Sequence, residues 1–442
     1  MVANSERALN LFANGDREVL PAENSAIVRR DLFVLTIIAL AVRSLWTRRG
    51  VGVTPDGQYY LTVAKNLAFH HVFSNSENFA ALAPTAHRPP FYPAVIAVFW
   101  WGDSAPLILV TLVQVVLGAV TVALVYRIAL DRFSRTVALL AAGGMALAPM
   151  SSYYTSLILS ETLFTFLVAL GCFLWGRERA VATGIAFGLA ALTRTTIVPF
   201  LFILLLLPLL PAWRRHWRSY VIIVVTSLAV SSVWIIRNAV TFGEFIPIAA
   251  SGGGVNLLFG TIETQVTGSQ IWTGTKWTHQ QRDHPLATMD AHLPEKERND
   301  AQTRRALRII AADPLHWVAV RAKQYPKLFI DSGPYIFYPH NTPIEASTRL
   351  PQFLVAAIRL TFLSLNLLVL GLAVCGVFVM RAQFVSLSHI TLFPIFLAAV
   401  HLPMWIEPRY SLPMVPLVAV LAAVGATWLP GKLKPKNALH KT

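Results

Sequence analysis

Long apolar runs alternate along this chain with short basic connections and two extended polar stretches. A helix crossing a bilayer needs about 20 predominantly apolar residues. Ten runs predict spanning helices, at residues 31–46, 105–128, 136–149, 161–176, 181–192, 197–213, 219–236, 352–380, 384–403 and 410–429. Those at 136–149 and 181–192 are short, which predicts helices that are bent, tilted or extended by interfacial residues. The pattern is that of an all-α, polytopic membrane bundle of about ten spans, with 9–12 as the range.

Composition supports this pattern. Hydrophobic residues make up 55% of the 442 positions and charged residues 13%, where a soluble domain carries about 25% charge. A water-soluble fold has no way to hide so much apolar surface behind so few charges. Disorder, a coiled coil and a nucleic-acid-binding domain are excluded, although the formal net charge is +15. The two cysteines, Cys172 and Cys375, fall inside apolar runs, so neither a disulfide nor a cysteine metal site is expected.

Placement of charge sets orientation. The polar stretch 237–349 holds 12 basic and 10 acidic residues, and the remainder of the chain holds 25 and 12. That excess lies in short connections, among them Arg29/Arg30, Arg127/Arg132/Arg135, Arg177/Arg179, Arg214/Arg215/Arg218, Arg381 and the lysines after 430. Basic short loops stay in the cytoplasm, so both termini are expected there. The division that follows is a cytoplasmic tail at 1–30 and a membrane module at 31–236 with a first outer loop at 47–104. An extracytoplasmic, partly helical segment at 237–351 precedes closing helices at 352–429 and a basic tail at 430–442. Residues 1–30 lack an apolar core and do not read as a signal peptide.

Loops of such length are usually functional or structured. In the first, Asp56 opens a stretch whose Tyr60, Val63/Ala64, Leu67 and His71 recur at helical spacing. A carboxylate at that position is either an N-cap or a site residue. His87-Arg88-Pro89-Pro90-Phe91-Tyr92-Pro93 follows. Its prolines rigidify the approach to the bilayer. Arg88 is there either an interfacial, snorkelling arginine or a phosphate clamp, since guanidinium offers a planar fork to phosphate oxygens. Arg194, Arg237 and Arg409 fall at the same outer rim, with Glu161 and Glu407. Each alone reads as a helix-end residue; together they suit an anionic lipid headgroup.

In the second outer segment, Gly252-Gly253-Gly254 is either a plain loop or a place where backbone approaches a ligand closely. Trp272, Trp277, His279 and His284 follow. Residues 298–311 predict an amphipathic helix, and Asp313-Pro314 predicts the N-cap and first turn of another, running to about 329. Residues 331–341 are expected to form the mobile part of an acceptor lid. His279 and His284 stand five apart, a poor spacing for a helical metal pair, and no metal is assigned.

These motifs, in their order and sidedness, resemble the GT-C superfamily of integral membrane glycosyltransferases. The branch is that of the protein O-mannosyltransferases, the lipid A aminoarabinose transferases and bacterial relatives that decorate lipopolysaccharide. The residues that carry the likeness are Asp56-Gly57-Gln58-Tyr59-Tyr60, Arg88-Pro89-Pro90-Phe91-Tyr92-Pro93, Leu159-Ser160-Glu161-Thr162-Leu163, the run from Gly184 to Arg194, Arg237 to Gly243, Gly252 to Gly260, and Arg409-Tyr410. The resemblance implies a polyprenyl-phosphate-linked sugar donor, a lipid, glycan or protein acceptor, and chemistry on the extracytoplasmic face. It implies neither a cofactor nor a nucleic-acid partner. It puts Asp56 at the catalytic aspartate position and Arg88 at a phosphate-contacting one. Arg194, Arg237 and Arg409 join Arg88 as candidate phosphate ligands. Tyr59, Tyr60, His87, Glu161, Gly253, Asn256, Glu407 and Tyr410 complete the candidate substrate site. In one place the chain departs from the pattern. Many relatives carry a second acidic residue directly after the aspartate; here it is Gly57.

Two other classes compete. A transporter or flippase of a lipid-linked glycan predicts an inverted repeat and ionisable residues at mid-bilayer. No repeat is evident, Arg43 lies near the end of a run, and Arg359 is the one deep basic residue in the pattern. A non-catalytic lipid-binding scaffold keeps the arginines and tolerates loss of Asp56.

Overall fold

The computed structural model describes residues 25–265, 286, 289–330 and 351–433. The fold is all-α. Among the described residues β-pairing is confined to one isolated bridge, between Gly52 and Leu157.

In chain order the helices are α1 (Ser25–Thr47), α2 (Pro55–His70), α3 (Phe91–Val98), α4 (Leu107–Leu130), α5 (Arg135–Leu147) and α6 (Pro149–Tyr154). Then come α7 (Glu161–Gly176), α8 (Ala180–Ala191), α9 (Val198–Leu206), α10 (Trp217–Phe242) and α11 (Gly253–Gln265). The last are α12 (Glu295–Ala312), α13 (Pro314–Gln324), α14 (Gln352–Val379), α15 (Ser388–Val400) and α16 (Val415–Leu433). Each predicted apolar run carries a helix. Among the described residues four stretches are long and apolar enough to cross a membrane: Leu107–Leu130, Pro211–Phe242, Ala356–Val379 and Pro408–Leu429. Proline changes the helix type at two places. Pro208 and Pro211 turn the end of the 197–213 run into 3₁₀ geometry. Pro408 and Pro413 do the same at Pro408–Met414, the first part of the last stretch, ahead of α16, because proline supplies no N–H to an α-helical ladder.

The bundle shares one apolar core to which α1, α4, α5, α7, α8, α10, α15 and α16 all contribute. Helices α14 and α16 cross with their backbones in contact. A Cβ at Gly376 would stand 2.0 Å from the Leu421 carbonyl oxygen, and one at Gly425 2.1 Å from that of Leu372. Small residues at both faces permit this approach.

Arg43, near the end of α1, is fully buried, with relative exposure 0%, and Arg359 is exposed on the surface of α14. Near the start of α1, Asp31 is also buried and accepts from Arg135 Nε at 2.6 Å and the Tyr126 hydroxyl at 2.8 Å.

The polar segment between α10 and α14 forms the expected helical pair. Asp313 caps α13 by accepting from the His316 N–H at 3.0 Å, with Pro314 in the first turn. Helix α12 packs on α11, where the Gly254 N–H donates to Asn299 Oδ1 at 2.9 Å. Gly252–Gly254 is therefore the entry to a helix rather than a free loop. Trp272, Trp277, His279, His284 and the 331–341 stretch lie outside the described residues.

Candidate functional site

Five short segments meet at one rim of the bundle, and backbone bonds pin them. The segment before α2 is held by the Gly52–Leu157 bridge, through Gly52 N to Ser156 O and Ile158 N to Gly52 O, both 2.9 Å. The arginine-proline segment is tied to the α8 exit by Phe91 N to Leu192 O at 2.9 Å. Tyr92 donates to Gln114 Oε1, and Gln114 Nε2 donates to the Thr155 and Leu157 carbonyls. The segment leading to α16 is tied to α11 by Trp405 N to Asn256 O at 2.9 Å. Buried Arg321 of α13 reinforces that tie, donating to the carbonyls of Leu402, Met404 and Gly260.

The side chains these segments carry form one ionic cluster. Asp56 Oδ1 accepts from Arg88 Nη2 at 2.6 Å, and its Oδ2 lies 3.1 Å from Arg409 Nη2. Arg409 also pairs with Glu407 and stands 3.6 Å from Glu161 Oε1. Arg194 meets that oxygen at 3.0 Å and donates to Ser160 Oγ at 3.3 Å. Three carboxylates thus face three guanidiniums drawn from five chain segments. The Tyr410 ring lies under both Arg194 and Arg409, 5.7 and 5.5 Å from their guanidinium carbons. Tyr60 closes one side, its hydroxyl 3.4 Å from Ser160 Oγ and its ring against Tyr92. Tyr59 stacks beside His87 at 5.4 Å.

Asp56 is not the N-cap of α2. Thr54 has the extended cap conformation and its hydroxyl accepts from the Gly57 N–H; Pro55 takes the first turn. The Asp56 side chain is thereby released for the cluster. Gly57, the departure from the family pattern, has a steric cause. A Cβ there would lie 2.7 Å from the Ile158 carbonyl oxygen, so a second acidic side chain would break the bridge that positions the loop.

Electrostatics separates the groups. Burial pushes the Asp56 carboxyl upward, but Arg88, Arg409 and Arg194 outweigh it and hold it at about 2. Burial raises Glu407, and Arg409 offsets only part of this, while Asp56 and Glu161 add to the rise. His87 is held down to about 4 by burial and then by the positive charges of Arg88 and Arg298, so it is neutral at pH 7.

Not every candidate joins the cluster. Arg237 lies against the rings of Trp234, Phe242 and Phe73 and donates to the Thr85 carbonyl at 3.0 Å. It braces the loop that carries His87 and Arg88. Gly253 is exposed at the start of α11, and Asn256 meets the site segment through its backbone oxygen. Two residues that sequence reading passed over hold this region together. One is Arg321. The other is Glu295, which accepts from the Thr85 hydroxyl at 2.6 Å and the Ala86 N–H at 3.0 Å. Among the described residues no group of three His, Cys, Asp or Glu is placed to hold a metal ion.

Residues 87–236 match the family described as dolichyl-phosphate-mannose-protein mannosyltransferase. The chain also superposes on the crystal structure of the Archaeoglobus fulgidus oligosaccharyltransferase in its apo form. That alignment has a TM-score of 0.52 at 13% identity, covering 92% of this chain and 51% of that one. Over the aligned region this chain shares that enzyme's fold. The same archaeal enzyme tethered to an acceptor peptide aligns with this chain at TM-score 0.52 and 15% identity, over 92% and 50% of the two chains. ArnT from Cupriavidus metallidurans bound to undecaprenyl phosphate aligns at TM-score 0.36 and 16% identity, over 92% and 78%. The chain spans about half the length of the archaeal enzyme. No curated protein matches it in sequence.

Proposed function

We propose that this protein transfers a sugar from a polyprenyl-phosphate donor to a lipid, glycan or protein acceptor at the extracytoplasmic face of the membrane. The observation that carries this reading is the grip on Asp56 by Arg88 and Arg409, with Arg194 beside them, at a rim where basic residues are not needed for topology. A polyprenyl donor keeps its tail in lipid and its phosphate at headgroup depth. Guanidiniums at that depth bind the phosphate with paired donors and stabilise the charge that builds on it as the glycosidic bond breaks.

Asp56 then has a defined part. In the resting arrangement it is ionised and tied, a weak base. A donor phosphate competes for the same guanidiniums. Once they turn to the phosphate, the Asp56 carboxylate loses its compensating charges while remaining half-buried, and its proton affinity rises. A base whose affinity approaches the working pH is the effective one. Asp56 takes the acceptor hydroxyl's proton as the oxygen attacks C1 from the side opposite the phosphate, which inverts the anomeric centre. If the acceptor is already an anion, Asp56 orients it instead. Tyr59, Tyr60, Tyr410 and neutral His87 supply the surfaces for the sugar. The test is incubation of the purified full chain with a panel of labelled polyprenyl-phosphate sugars and candidate acceptors, reading release of polyprenyl phosphate. Release from at least one member is the expected result; none from the whole panel overturns the reading.

A further inference from the structure

Beneath the ionic cluster lies a cavity of about 20 Å³, lined by Arg43, Gly118, Met145, Tyr154, Glu161 and Thr165 among others. One water needs roughly 10–15 Å³ and two to four polar partners. Both conditions are met here. Arg43 Nε, Thr165 Oγ1 and Glu161 Oε2 are buried and make no hydrogen bond among the described residues, while Glu161 Oε1 is taken by Arg194 and Arg409. All belong to residues that line this one chamber.

Arg43 has an unusual charge balance. Its guanidinium reaches only neutral oxygens, the carbonyls of Ala39 and Ala146 through Nη1 and that of Met145 through Nη2, at 3.3–3.4 Å. It forms no ion pair among the described residues, yet it is fully buried. An intrabundle cation of this kind is costly and is kept for a reason. The fold makes room for it. A Cβ at Gly118 would stand 2.4 Å from Arg43 Nε. The carboxylate that shares its chamber is Glu161, which pairs on its other side with Arg194 and Arg409.

We propose that the chamber holds resident water bridging Arg43 to Glu161, and that Arg43 is thereby a positioning residue for the anion-binding cluster above. Charge counting gives the bridge its purpose. Asp56, Glu161 and Glu407 balance Arg88, Arg194 and Arg409, so the cluster alone has no net attraction for an anion. Arg43 makes it +1, the complement of a phosphodiester's single negative charge. Balancing part of Glu161 from below also leaves Arg194 and Arg409 freer to turn to a phosphate. The inference rests on reading those two arginines as the donor grip.

X-ray radiolytic labelling of the full chain in ¹⁸O water tests the water without reference to catalysis. Met145 and Tyr154, buried but lining the chamber, are expected to gain oxygen well above Met380, which is as buried and lies elsewhere. Equal protection of all three overturns the bridge. Binding of polyprenyl phosphate tests the positioning role. Thr165→Val leaves the carbonyl bonds of Arg43 intact and removes one water partner; it is expected to slow the labelling and weaken binding about threefold to fivefold. Arg43→Gln is expected to weaken it about tenfold, with Arg43→Lys recovering part. A role confined to tying the end of α5 predicts unchanged affinity in the folded fraction of every variant, and that result overturns the positioning claim. If the wild-type chain binds no polyprenyl phosphate, the donor reading and the positioning claim fall together, and the labelling still decides the water.

Discussion

Asp56→Asn separates the roles that the site assigns to one carboxylate. Capping is not among them, because Thr54 caps α2, so the helix start loses nothing. What disappears is one negative charge touching Arg88 at 2.6 Å and Arg409 at 3.1 Å. At an effective dielectric of about 20, a unit charge 4 Å away is worth at most about 4 kcal/mol. Arg88 is about a third exposed, and partly exposed pairs measure about 1 kcal/mol or less. Removing a competitor of that strength tightens polyprenyl phosphate binding by up to about fivefold. Turnover moves the other way. An amide accepts no proton, and a general base contributes about 10²–10⁴-fold in rate. The assay is polyprenyl phosphate affinity and single-turnover sugar transfer on one preparation, with melting temperature as the fold control. Tighter binding with turnover lower by at least 100-fold is expected. Full turnover in folded Asp56→Asn protein refutes the catalytic assignment. Lost binding in folded protein refutes the competition, and makes Asp56 an anchor for the arginines.

Four further outcomes can be measured. Because Asp56 is held at about 2 in the free protein, it is ionised throughout pH 4–8, and kcat/KM has no acid limb from it in that window. The limb belongs to kcat, at higher pH, and vanishes in Asp56→Asn; a limb at one pH in both profiles contradicts the release of Asp56 by phosphate. Arg88→Ala is expected to weaken donor binding at least tenfold, with partial recovery in Arg88→Lys. Arg237→Ala, acting on the aromatic brace, is expected to lower thermal stability and leave donor affinity of the folded fraction within about twofold; isothermal binding on both variants decides between them. For orientation, a cysteine replacing Gly253 should react with a membrane-impermeant thiol reagent in intact spheroplasts, and one replacing Arg215 should not. The reverse pattern puts the site in the cytoplasm.

Much of the fold was legible because bilayer crossing leaves a coarse signal. Each of the ten apolar runs marked a helix, with the short α3 and α6 outside them, and Asp313-Pro314 gave the start of α13. Helix length was not legible where proline redirects the chain, as at Pro408 and Pro413. In the site, Asp56, Arg88, Arg194 and Arg409 drew attention as charges at an outer rim, where topology does not require them. That logic also swept in Arg237, since depth along a span says nothing about which way a side chain turns. Arg321 and Glu295, and the contacts of Arg43, stayed hidden for the converse reason. Each acts on partners 80 to more than 200 positions away, and no local pattern marks such pairs. Thr54 is different. A threonine two residues before the aspartate, followed by proline, is a recognisable helix start, and it identifies the true cap.

Where a donor phosphate sits decides the most. A structure of the full chain in nanodiscs with polyprenyl phosphate bound is predicted to place the phosphate within hydrogen-bonding distance of Arg88, Arg194 and Arg409, with the Arg88–Asp56 contact opened and the Asp56 carboxylate facing the acceptor side. Phosphate bound at Arg237, at the arginines of the short basic connections, or above a cluster whose Asp56 pairs stay closed would contradict the proposed donor grip.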